Sequence, residues 1–226
     1  MTTLLAQGMQ LPPPPVMLAI GIVIFLAIGL HEYAHAKVAD AAGDPTPSFY
    51  GRVTLNLTKH FELMGTIMII FTSIFGVGIG WGKPVPMNPS KMRNPRWDHF
   101  LAVLAGPLTN VLLAAIFALV LRLVGGSELM RNEFFSSLLI YGVVINLSLC
   151  LFNLLPIGPL DGMWLLGTFL SEPMRLKWTR WNLTVGSIVF IAIILIGQLS
   201  NLHLISNIIY PPLEALFRFL TGSRLR

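Results

Sequence analysis

Apolar runs long enough to cross a bilayer recur along this chain, at about residues 16–42, 99–124, 134–155, 183–199 and 201–220. A hydrocarbon core of ~30 Å is crossed by ~20 apolar residues in a helix, the form in which a single segment satisfies its own backbone there. Composition agrees. Apolar residues make up 54% of the chain and charged ones 11%, with a mean hydropathy of +0.74, whereas a soluble domain carries about 25% charged residues. The pattern predicts an all-α polytopic membrane protein: a helix bundle with about five spans, plus a short strand or re-entrant region between the first and second full spans. Residues 1–226 read as a single membrane-embedded domain, in which 1–15 form an extended lead-in closed by Pro12 to Pro15. No cleavable signal peptide is expected, because the first fifteen residues contain no Lys or Arg.

The net charge of +5 is modest, and Lys and Arg are confined to the gaps between apolar runs. That distribution suits membrane orientation and speaks against a nucleic-acid partner, which would need a basic face with exposed aromatics. Cys150 is the single cysteine and lies within an apolar run, so it reads as a packing residue. Residues 51 to 58 alternate polar and β-favouring side chains, which predicts a short strand or hairpin. Residues 65 to 80 are apolar but only sixteen long, and Gly76, Gly78 and Gly80 close them. If this stretch dips in and returns, every basic residue except Arg122 and Arg131 falls on one side. The positive-inside rule then makes that side cytoplasmic. If the stretch spans, the bias largely disappears, so a re-entrant segment is expected.

Ionisable residues inside a span are expensive and usually functional. His31-Glu32-Tyr33-Ala34-His35 places two histidines four residues apart on one helix face, within reach of a single metal ion. Glu32 can act on water at that metal. At ~1.5 Å per residue from Val16, His31 lies roughly 22 Å and His35 roughly 28 Å into the membrane, in its cytoplasmic third. Catalytic zinc takes three protein ligands and keeps one open position. His60, His99, His203 and several acids are candidates for the third ligand. Asp161 fits best, because Pro156 and Pro159 unwind the chain at the end of a span just before it. The histidines and Asp161 meet only if their two helices run parallel, which requires an odd number of crossings between them. A returning 65–80 segment satisfies that condition.

HEYAH at 31–35, Ala105-Gly106-Pro107-Leu108-Thr109-Asn110 and the stretch from Asn153 to Gly162 (NLLPIGPLDG) together resemble the site-2 protease family of intramembrane metalloproteases, in its compact membrane-only prokaryotic form. The likeness extends to Gly51-Arg-Val-Thr-Leu-Asn and to the loop Trp81-Gly-Lys-Pro-Val-Pro-Met-Asn. The resemblance implies one Zn2+ per chain held by His31, His35 and Asp161, with Glu32 as catalytic base and Gly106 to Asn110 packed close against the catalytic helix. Asn110 and Asn153 would orient substrate or steady the oxyanion, or else make structural bonds between helices. The chain departs from the family pattern at His60 to Gly65, at Gly158 and at Met163, none of them a proposed ligand.

The implied activity is hydrolysis of a peptide bond in or near the transmembrane segment of a membrane-protein substrate. The implied setting is a multi-pass protein of the cell membrane, with the bilayer as surroundings and the active site toward the cytoplasm. A zinc-binding membrane protein without activity is the main rival, and the intact Glu32 argues against it. A metal transporter would string polar residues along a path, often in repeated halves. Here they cluster at one depth and no repeat is visible.

Overall fold

The computed structural model describes residues 12–75, 81–200 and 204–225. Helix α1 (Pro14–Ala41) starts on two prolines, whose missing N–H groups cost nothing in a first helical turn. A short turn of helix, α2 (Thr46–Phe49), a 3-10 turn at Leu57–His60 and α3 (Leu63–Phe75) follow. Next come α4 (Trp97–Val124), α5 (Glu133–Asn153) and α6 (Asp161–Thr168). Helix α7 (Glu172–Trp181) passes through a π turn at Asn182–Gly186 into α8 (Ser187–Ser200), and α9 (Leu204–Thr221) is the last. Among the described residues, four helices are long and apolar enough to span: Pro14–Ala41, Trp97–Val124, Glu133–Asn153 and Glu172–Gly197.

Small residues face inward and large ones face outward. The buried face of α1 reads Ala19, Val23, Ala27, His31, His35, Ala39, and that of α4 reads Ala102, Gly106, Asn110, Ala114, Ala118. Each series steps by four residues, and ridges of that spacing interdigitate in the commonest mode of helix packing. Lipid supplies no hydrophobic drive between helices, so close approach through small side chains holds them together. Leu108, Leu112, Leu119 and Leu123 of α4 are left exposed on the outer face, where acyl chains solvate them.

The pairings set the directions. Asn110 reaches the Ala27 carbonyl and His35 reaches the Ala102 carbonyl, so α1 and α4 are antiparallel. Asn110 meets Asn146, and Gly142 lies against Phe117, so α4 and α5 are antiparallel as well. Helices α1 and α5 therefore run parallel, as the metal-site argument required. Between α1 and α4 the chain leaves and returns at the same end. The Arg93 N–H donates to the Ala42 carbonyl (3.0 Å), and the Asn88 N–H donates to the Asp44 carboxylate (2.6 Å). Helix α3, inside that excursion, has 13 residues and rises only ~20 Å. Residues 76–80 of the expected re-entrant stretch lie outside the described residues.

Three expectations need correction. Residues 51–58 form no strand: the chain runs through bends there into the 3-10 turn at Leu57–His60, and no strand occurs among the described residues. The side chain of Arg52 turns inward and is buried, which breaks the alternation a strand would need. The fifth apolar run is α9, which is not among the four spanning helices. It carries Pro211 and Pro212 within it, and Asn207, Glu214 and Arg218 make it amphipathic. Its C-terminus also sits at the other end of the bundle from the one expected. Leu213 and Phe217 pack onto Ala114, Ala118, Val143 and Leu147, and Arg122 donates to the Phe219 carbonyl (2.8 Å). Arg218 and Arg224 thus join Arg122 at the end away from the histidines.

Candidate metal centre

Three side chains from two helices, α1 and α6, meet at one point. His31 Nε2 and His35 Nε2 lie 2.9 Å apart, and Asp161 Oδ2 lies 3.3 Å from the first and 3.4 Å from the second. Among the described residues, these are the three that could hold one metal ion together. In tetrahedral zinc, with bonds of ~2.0–2.1 Å, ligand atoms stand ~3.3–3.4 Å from one another. The spacing fits.

Proton positions strengthen the fit. The two N–H bonds of the Asn110 amide go to the Ala27 carbonyl (3.2 Å) and to Asn146 Oδ1 (3.0 Å). Its oxygen can only accept, so His31 Nδ1 is the donor of the 2.6 Å bond between them. Likewise His35 Nδ1 donates to the Ala102 carbonyl (2.8 Å), which has no proton to offer. In its neutral form each imidazole then presents a bare Nε2 lone pair to the other and to a carboxylate oxygen that is buried without a hydrogen bond. Such a convergence of lone pairs is repulsive until a cation fills it. Orienting partners on the second ring nitrogen are the usual company of metal-bound histidines.

Backbone shape delivers these groups. A Cβ on Gly106 would sit 2.4 Å from His35 Nε2 and 2.7 Å from His31 Cε1, so only glycine lets α4 cross the histidine pair. Asp161 opens α6 after the turn at Leu154–Leu160. There the Gly158 N–H donates to Asn182 Oδ1 (2.7 Å), and a Cβ on Gly162 would fall 2.3 Å from the Leu155 carbonyl. Gly158 thus supplies an N–H that a proline at this position would lack.

Glu32 is half-buried beside the pair, and its Oε2 accepts the N–H of Val85 (3.1 Å). Asn153 ends α5 half-buried, donating to the Leu149 carbonyl (2.9 Å). His60 is fully buried outside the centre, its Nε2 bonded to the Thr54 carbonyl (3.0 Å). His99 stacks edge-on against Trp164, and His203 lies outside the described residues. Asn146 was missed by sequence reasoning, although an amide within a span, seven residues before Asn153, is the kind of signal that marks a partnered polar group. The carbonyl of Ala102 and the amide of Val85 leave no trace in side-chain chemistry.

Comparison with known proteins points the same way. The model of peptidase family M50 matches residues 19–132 and 124–196. A protein of Bacillus subtilis (strain 168) named "Putative zinc metalloprotease YwhC" is 37% identical over 180 residues, covering 76% of this chain and 78% of that one. No solved structure matches. The chain belongs to peptidase family M50, the site-2 proteases, and so to a class of membrane zinc metalloproteases.

Proposed function

We propose that this chain is an intramembrane zinc metalloendopeptidase, hydrolysing a peptide bond in or near the transmembrane segment of a membrane-protein substrate. The observation that carries this reading is the convergence of two imidazole nitrogens and one carboxylate oxygen within a bundle of helices long and apolar enough to span, with Glu32 adjacent in sequence to the first of them. His31, His35 and Asp161 are the residues that would hold the ion, one per chain. A zinc ion so held supplies Lewis acidity, which lowers the pKa of water and polarises a carbonyl.

The chain's own residues do the rest. Asn110 and Ala102 fix the imidazole tautomers, and Gly106 leaves room for both rings. Glu32 takes the proton of the attacking water and returns it to the leaving amine. Asn110 is assigned the orienting role, its hydrogen-bonding capacity being occupied, and Asn153 the substrate-facing one. A substrate helix has to unwind locally, because its carbonyls are otherwise tied up in its own ladder. The site end of the bundle carries Lys37, Arg52, Lys83, Lys91, Arg93 and Arg96, and by the positive-inside rule it faces the cytoplasm of a cell-membrane protein.

The test is purified, zinc-loaded protein in liposomes with a single-span reporter whose helix bears an Asn-Gly pair near one membrane boundary. Glu32→Gln should keep its zinc and lose at least ~100-fold in turnover, the scale of a removed general base. Cleavage at the wild-type rate would take Glu32 out of the mechanism. No cleavage of any such reporter by zinc-replete wild-type protein would favour the non-proteolytic rival.

A further inference from the structure

The bond that holds Glu32 comes from a segment that is itself held. Residues 83–85 pass over α1, and a Cβ on the preceding Gly82 would lie 2.7 Å from Ile28 Cγ2 and 3.5 Å from Glu32 Cγ. Two anchors fix that path. The Lys83 N–H donates to the His60 carbonyl (2.8 Å). The guanidinium of Arg52 donates through Nη2 to the Lys83 carbonyl and through Nη1 to the Pro84 carbonyl (3.1 Å). Nη2 also approaches His60 Nδ1 at 3.4 Å. Burial pushes the His60 imidazole below its ordinary pKa, against the pull of the Thr54 carbonyl, and the charge of Arg52 adds to burial. His60 is therefore neutral at pH 7, with Nδ1 free to accept.

Arg52 is 3% exposed and forms no salt bridge among the described residues. A buried guanidinium without a carboxylate partner is costly, yet this one is directed at two consecutive backbone carbonyls. The next amide along the chain is that of Val85. Because residues 84 and 86 are prolines, Val85 carries the one N–H between Lys83 and Met87, and that N–H is on Glu32.

We propose that Arg52 is a positioning residue for Glu32: it clamps the carbonyls of Lys83 and Pro84 so that the Val85 N–H sets the direction of the Glu32 carboxylate. This rests on Glu32 being the catalytic base. Arg52 itself touches neither the metal ligands nor Glu32 through a hydrogen bond. Its planar fork holds two acceptors from two nitrogens in a fixed geometry, which the point-like ammonium of lysine on its flexible stem reproduces only in part.

The experiment uses the full chain in liposomes and has two arms. In the first, amide exchange of the 82–91 region is followed by mass spectrometry, with Lys91→Gln as control. Arg52→Gln should speed exchange at Val85 about tenfold or more, as local opening of a released segment does, and the control should not. In the second, the single-span reporter is cleaved by the wild type, Arg52→Gln, Glu32→Gln and the double variant. A base displaced by ~1 Å costs on the order of 100-fold, so Arg52→Gln should lower kcat by roughly 10- to 100-fold and leave KM within about twofold. In the Glu32→Gln background it should change the residual rate by less than about twofold, since groups acting as a unit are not additive. Arg52→Lys should recover part of kcat.

Unchanged protection of Val85, a loss in KM alone, or an equal fold-loss in both backgrounds overturns the proposal. So does loss of zinc and helix content in both Arg52 variants, which would make the residue a brace only. If Glu32→Gln cleaves at the wild-type rate, the catalytic reading fails instead, and the exchange arm still decides whether Arg52 holds the segment.

Discussion

Adding one methyl group to Gly106 sets two effects of opposite sign against each other. In a helix interior Gly→Ala ordinarily stabilises by about 0.5–1 kcal/mol, because alanine has less backbone freedom to lose. At Gly106 the new carbon would stand 2.4 Å from His35 Nε2, 2.5 Å from His35 Cε1 and 2.7 Å from His31 Cε1. An ordinary contact is ~3.5 Å, so the His35 ring has to retreat by roughly 1 Å. Metal bonds tolerate about 0.2 Å. The retreat is several times that tolerance and also pulls on the bond from His35 Nδ1 to the Ala102 carbonyl. Gly106→Ala should therefore keep the bundle folded in detergent but weaken zinc by at least ~10- to 100-fold, the range seen when orienting groups are lost. Gly21→Ala is the matched control, since a Cβ there meets nothing within 4 Å. It should bind zinc as the wild type does and melt at the same temperature or slightly higher. Zinc content by mass spectrometry and competition with a chromophoric chelator read the outcome. Wild-type zinc affinity in Gly106→Ala would refute the claim that the histidine pair closes against the backbone of α4.

Asp161→Ala should lower bound zinc together with activity, because two histidines hold the metal weakly; stoichiometric zinc would show that the third ligand lies elsewhere. Asn110→Ala frees the His31 tautomer and leaves Asn146 without its donor, so zinc affinity should drop about 10- to 100-fold by chelator titration. Glu32 should not share that loss, which separates the ligand set from the base. With Cys150 first changed to alanine, single cysteines at Asn88 and Arg175 should label from one side of the membrane, and those at Ser127 and Ser223 from the other. Labelling of Ser223 with Asn88 would contradict the contact between Arg122 and the end of α9.

The meeting of His31, His35 and Asp161 was legible because it rests on side-chain identity and spacing: HEYAH on one helix face, and an aspartate after a proline-broken span. The parallel course of α1 and α5 was legible from charge placement and ligand geometry together. Residues 51–58 misled because alternation was read without knowing that Arg52 turns inward to bind backbone carbonyls. The course of α9 misled because a count of apolar residues passes over the polar face made by Asn207, Glu214 and Arg218, although the Pro211-Pro212 interruption was plain in the sequence. The Val85 amide and the Ala102 carbonyl could not be read at all, since every residue but proline has both groups and only the fold selects which are used.

The bond between the Arg93 N–H and the Ala42 carbonyl ties off everything between those residues as a closed appendage. Its length has little bearing on how α1 meets α4, because the entropy of closing a loop grows only with the logarithm of its size. The two histidines and their supports sit outside this appendage, while the amide on Glu32 sits inside it. A variant chain could thus exchange the excursion for a longer or shorter one and keep the meeting of His31, His35 and Asp161. What the excursion presents to Glu32 would change, and that meeting would stay where it is.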